Sequence, residues 1–104
     1  MKLFISQPMN GLSNEEILAE RDRIVDVMQD MYKDDEIEVV DSFFKDAPHD
    51  AAPLWFLGKS LECMSTADIV FFGKGWKDAR GCRIERICAE SYGLSCIEDK
   101  EDED

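Results

Sequence analysis

Ala67-Asp68-Ile69-Val70-Phe71-Phe72, running straight into Gly73-Lys74-Gly75-Trp76-Lys77-Asp78-Ala79-Arg80-Gly81-Cys82-Arg83-Ile84-Glu85, is the stretch that decides the fold. The unbroken apolar run Ile69 to Phe72 lacks the polar alternation of a half-exposed strand. It therefore reads as a strand buried on both faces, as in the interior of a parallel sheet. A Gly-rich turn follows and opens a helix from about Ala79 to Tyr92, with Gly93 suited to the C′ position. Its inner face is expected to carry Ile84, Ile87, Cys88 and Ser91. Strand, glycine turn and helix N-terminus in that order are how α/β proteins present a ligand site.

Outward from this segment the chain alternates. Lys2 to Ser6 reads as a first strand, ended by Gln7-Pro8-Met9-Asn10-Gly11, where Pro removes a ladder donor and Asn-Gly signals a turn. Ser13 and Glu16 have capping-box spacing and open a helix to about Tyr32. Ile17, Leu18, Ile24, Val25, Met28 and Met31 form its core-facing stripe. Glu36 to Val40 is a second strand, and Asp41 to Ala52 an irregular connection. Pro53 then opens a second helix that buries Leu54, Leu57, Leu61 and Met64. Leu94 to Ile97 is a short last strand.

The order β-α-β-α-β-α-β implies right-handed crossovers and a parallel sheet. The expected fold is three-layer α/β, Rossmann- or flavodoxin-like, with strand order 2-1-3-4 and helices on both faces. Residues 1–97 form the single domain. Residues 98–104, with six acids and one lysine, read as a disordered acidic tail.

Composition excludes several functions. With 24 acidic against 12 basic residues the net charge is −12, which argues against nucleic acid as a partner. No apolar run approaches the roughly 18 residues of a membrane span, and the N-terminal run lacks a signal-peptide core, so a cytoplasmic location is expected. Cys63, Cys82, Cys88 and Cys96 include no Cys-x-x-Cys, and His49 is the only histidine. Neither a metal nor another cofactor is expected. The segment Gly73 to Gly81 has neither the dinucleotide fingerprint nor a Gly-Lys-Ser/Thr phosphate loop.

In a 2-1-3-4 sheet the switch point lies between the first and third strands, and ligands bind outside their carboxyl ends. The loops Gln7 to Gly11 and Gly73 to Arg80 meet there. Gly75 and Gly81 permit close backbone approach, Arg80 offers a fork-shaped donor for phosphate or carboxylate, and Trp76 an aromatic face. Glu85 lies one turn beyond Gly81. Beside a positive helix end its carboxylate is expected to be ionised, fit for nucleophilic attack or for stabilising an oxocarbenium ion. Plainer readings exist for each: Glu85 as a solvent-facing helix residue, Trp76 as a plug of the sheet end, Asp78 as the helix N-cap, and Asp68 as a structural residue of the far edge.

Ile5-Ser6-Gln7-Pro8-Met9-Asn10-Gly11, Ala67-Asp68-Ile69-Val70, and Gly75-Trp76-Lys77-Asp78-Ala79-Arg80-Gly81-Cys82-Arg83-Ile84-Glu85 with Ala89 and Tyr92-Gly93 resemble the nucleoside 2-deoxyribosyltransferase-like superfamily, in particular its small bacterial and phage members. The resemblance spans Lys2 to about Ile97. It implies cleavage or exchange of a nucleoside N-glycosidic bond, by a transferase or by a hydrolase acting on a deoxynucleoside or its monophosphate. The superfamily's nucleophile falls on Glu85, and Gln7, Pro8, Met9, Asn10 and Gly11 contribute to the sugar and base pocket. Substrate contacts are also expected from Asp41, Gly75, Trp76, Ala79, Arg80 and Gly81. Asp78, Asp41 and Asp46 are candidates for a second acidic group, of which Asp78 is the catalytic choice. Ala79 stands where many members carry serine, which removes a phosphate ligand, and the first-loop tyrosine of some transferases is absent. The implied partners are a nucleoside or nucleotide and further copies of the chain in a dimer or tetramer. A binding module that sequesters a nucleotide in the same crevice without turnover is the alternative.

Overall fold

The computed structural model describes residues 1–41 and 47–100. Four strands, β1 (Lys2–Ser6), β2 (Glu38–Val39), β3 (Ile69–Phe72) and β4 (Ser95–Glu98), form one parallel sheet in the order β2-β1-β3-β4. Three helices, α1 (Asn14–Met31), α2 (Pro53–Met64) and α3 (Arg80–Ser91), supply the crossovers. β1 and β3 pair along their full length, from Leu3 opposite Ile69 to Ser6 opposite Phe72. No helix among the described residues is long and apolar enough to cross a membrane.

Strand alternation assigns the two faces. Leu3, Ile5, Ile69 and Phe71 pack with Ile24 and Met28 of α1. Phe4, Val70 and Phe72 point the other way, against Met64 of α2 and Cys82 and Ala89 of α3. Burying each large apolar side chain contributes roughly 1.5–3 kcal/mol, so this two-faced sheet is the main source of stability. Both faces of β3 are buried, as its unbroken apolar run requires.

The caps follow local chemistry. The Ser13 hydroxyl accepts from Glu16 N at 3.1 Å, and the Glu16 carboxylate accepts from Ser13 N at 3.2 Å, so the expected capping box opens α1. Gly93, at φ +73°, turns the chain out of α3. Asp68 accepts from Lys2 N at 2.7 Å and ties the amino edges of β1 and β3 together, a structural role.

Several expectations need correction. β2 is two residues long rather than five, because as an edge strand it pairs with β1 alone. Leu18 and Met31 of α1 are exposed, and the stripe instead runs Ile17, Arg21, Ile24, Met28. Leu54, in the first turn of α2, is 77% exposed, and Leu57 and Leu61 are half-buried. The inner face of α3 is Cys82, Glu85 and Ala89, while Ile87 is 65% exposed and Ser91 faces solvent. Both sets have helical spacing, and in the folded chain Cys82 and Ala89 pack with Val70, Phe72 and Trp76, with Cys88 partly buried beside them.

Asp78 is not the N-cap of α3. Trp76–Asp78 forms a 3-10 turn closed by Ala79 N donating to Trp76 O at 3.1 Å, which leaves extended Ala79 as an N-cap with no side-chain bond. The ordered fold also reaches past residue 97. Glu98 closes β4, and Asp99 is 3% exposed, its carboxylate paired with Arg23 of α1 and its N–H bonded to Phe72 O. The rest of the expected tail, 101–104, lies outside the described residues, as do Phe43, Phe44 and Asp46 in the connection after β2.

Candidate active site at the switch point

β1 and β3 end side by side, but their chains leave to opposite faces, β1 to α1 and β3 to α3. No crossover can cover the gap between them, so a crevice must open there. A cavity of 830 Å³ lies at this edge. Ser6 and the following Gln7, Pro8, Met9 and Asn10 form one wall. Asp78, Ala79, Arg80 and Gly81 at the start of α3 form a second, with Gly75 beside them. The first half of α2 forms a third, through Pro53, Phe56, Leu57 and Ser60. Gly75 takes φ +82°, a left-handed conformation that bends the chain from β3 toward α3 and that a Cβ would strain.

Ten of the expected site residues therefore meet: Gln7, Pro8, Met9, Asn10, Gly75, Asp78, Ala79, Arg80, Gly81 and Glu85 all line the cavity. Three do not. Gly11 is an exposed residue of the turn beyond the lining. Trp76 is 8% exposed, packed on Phe72 with ring centroids 5.2 Å apart and covered by the Arg86 guanidinium at 5.3 Å. It plugs the sheet end and is absent from the lining. Asp41, just past β2, is exposed and also off the lining.

Glu85 is 7% exposed and lies among the lining residues with Ser6 and Cys82. The Ser6 hydroxyl donates to Glu85 Oε1 at 2.8 Å. Burial pushes the Glu85 carboxyl up to about 7, opposed by the Ser6 hydrogen bond and by the charge of Arg21. The expectation that the helix end keeps it ionised is thereby corrected. Glu85 is the sixth residue of α3, and the helix field fades within the first turn, so desolvation wins. Cys82 is 4% exposed, and burial pushes its thiol up to about 11. A neutral thiol is a poor nucleophile.

The opposite charge comes from α1. Arg21 is 7% exposed, and burial lowers its pKa against the raising effect of Asp41 and Glu85. Its signal is present in the chain: a charged residue occupying one place of an otherwise apolar stripe needs a buried partner. Ser6 has a similar signal, a hydroxyl on the inward side of a strand beside Phe4. Phe56 and the rest of the α2 wall leave no trace in sequence, because they join the site only through the crossover.

Chemically, the crevice offers one buried carboxyl titrating near neutrality, an exposed guanidinium on Arg80, an exposed carboxylate on Asp78 and a largely apolar α2 wall. Among the described residues no group of three or more His, Cys, Asp or Glu is placed to hold a metal ion. All four cysteines are free thiols. Set against known protein families, curated proteins and solved structures, the chain matches none of them.

Proposed function

We propose that the chain is a cytoplasmic enzyme of the nucleoside 2-deoxyribosyltransferase-like kind, cleaving or exchanging the N-glycosidic bond of a deoxynucleoside or its monophosphate with Glu85 as nucleophile. The observation that carries the reading is the Glu85 carboxyl itself: buried, held by Ser6, and facing a cavity at the sheet's switch point. A strongly perturbed carboxyl in a cleft is what acid–base and nucleophilic chemistry near neutral pH needs.

In the proposed reaction an ionised Glu85 oxygen forms a bond to the anomeric carbon while the carbon–nitrogen bond breaks. The base leaves with that bond's electron pair and takes a proton from solvent. A second base, or water, then displaces Glu85 from the sugar and regenerates the carboxylate. Arg80 and the uncapped start of α3 suit an anionic or strongly polar part of the substrate, and the α2 wall suits a planar base. Exposed Leu54, Ile87 and Tyr92 suit burial against further copies of the chain in a dimer or tetramer.

A panel of nucleosides and 5′-monophosphates, followed for free base by chromatography, tests the reading. The wild-type chain is expected to release base from at least one deoxy substrate. Glu85→Ala is expected to lose that activity by about 1000-fold or more while keeping its circular dichroism. Release at an undiminished rate by the variant refutes the role of Glu85. Ligand-dependent stabilisation with no turnover anywhere on the panel supports the sequestering module instead.

A further inference from the structure

Ser6 is the last residue of β1 and is 2% exposed. Its backbone is pinned on the β3 side, where Ser6 O accepts from Gly73 N at 2.8 Å. Alternation turns its side chain to the face of Phe4, where α3 packs, and so toward Glu85 across 79 residues of sequence. A hydroxyl on a fixed backbone at the end of a central strand is pre-organised in a way that a loop residue is not. A buried hydroxyl at that place is costly unless bonded.

We propose that Ser6 is the positioning residue of the crevice: its hydroxyl fixes Glu85 Oε1 and leaves Oε2 to the occupant of the cavity. The inference rests on the reading of Glu85 as the reacting carboxylate. The groups that face Glu85 divide the work. Arg21 from α1 supplies the charge, Cys82 one turn earlier on α3 is a neutral thiol, and Asp78 and Arg80 stand exposed on the α3 side of the cavity. The α2 wall, with Pro53, Phe56, Leu57 and Ser60, carries no charge. The Ser6 hydroxyl donates a hydrogen bond to the carboxylate, and that bond is strongest when Glu85 is ionised.

The test reads Glu85 directly, by carbon-13 NMR titration of its carboxyl with Glu85→Gln for assignment, beside the pH profile of turnover. Ser6→Ala removes the hydroxyl. Ser6→Cys keeps the volume but offers only a weak donor, and it carries the test if the alanine variant fails to fold. In both variants the Glu85 midpoint is expected to rise by about one pH unit, and the rising limb of kcat against pH to follow it. An unmoved midpoint overturns the inference. A midpoint that moves in Ser6→Ala but stays in Ser6→Cys also overturns it, since packing rather than hydrogen bonding would then be at work. A kcat limb that stays while the midpoint moves overturns the assignment of Ser6 to the reaction. A moved midpoint with no turnover even in the wild type upholds the positioning of Glu85 while sinking the N-glycosidic reading.

Discussion

Replacing Glu85 by glutamine should stabilise the protein at alkaline pH and leave it nearly unchanged in acid. The sign follows from linkage. The folded carboxyl titrates at about 7 against an ordinary value of 4.5, because it is buried. Between those values the unfolded chain has released a proton that the folded chain keeps, so stability falls as pH rises from about 4.5 through 7. The shift of about 2.5 units corresponds to roughly 3 kcal/mol once both states are ionised. Glutamine matches the neutral form, still accepts from Ser6, and carries no such cost. Relative to wild type, Glu85→Gln should thus gain little at pH 4 and about 3 kcal/mol at pH 8. With an unfolding entropy of about 0.2 kcal/mol per kelvin for a chain of this length, the difference in Tm at pH 8 is about 15 °C. Urea or thermal unfolding of both proteins in parallel across that range measures it. Other titrating groups cancel in the difference. A difference that is flat with pH, or wild type gaining on the variant as pH rises, would refute the burial of a neutral carboxyl.

Asp99→Ala should destabilise by about 2 kcal/mol in chemical denaturation, since it removes a buried carboxylate that accepts a charged hydrogen bond from Arg23, which keeps its other partner Glu20; an effect under 0.5 kcal/mol would mean that the chain beyond β4 is not part of the fold. Trp76, packed on Phe72 under Arg86, should resist acrylamide quenching in a Trp55→Phe background, with blue-shifted emission. Ready quenching there would return Trp76 to the crevice as an accessible aromatic face.

Much of the architecture was legible because it is written locally. The apolar run Ile69 to Phe72 demands burial on both faces, the pair Ser13 and Glu16 caps a helix, and Pro53 starts another. Strand order followed from alternation and handedness, and with it the switch-point crevice and ten of its lining residues. What failed was rotation about helix axes. Ile84 and Ile87 outrank Cys82 and Ala89 in hydrophobicity, yet it is the small Cys82 and Ala89 that pack on the sheet. The same rotation carries Glu85 inward, where a reading of spacing alone leaves it in solvent.

By itself, then, the sequence determined the element order, the parallel sheet and the edge at which a ligand would lie, since these depend on propensity, periodicity and chain handedness. Only the tertiary structure decided the state of the site. Trp76 left it for the core, Phe56 entered with α2, and Asp78 lost its capping role to the turn that holds it. Ser6 and Arg21 became the partners of Glu85 from strands and helices far away in the chain. The physical reason is desolvation. Whether a carboxyl is charged depends on how much water the surrounding elements exclude and on which dipoles replace it, and those elements meet only in the folded chain.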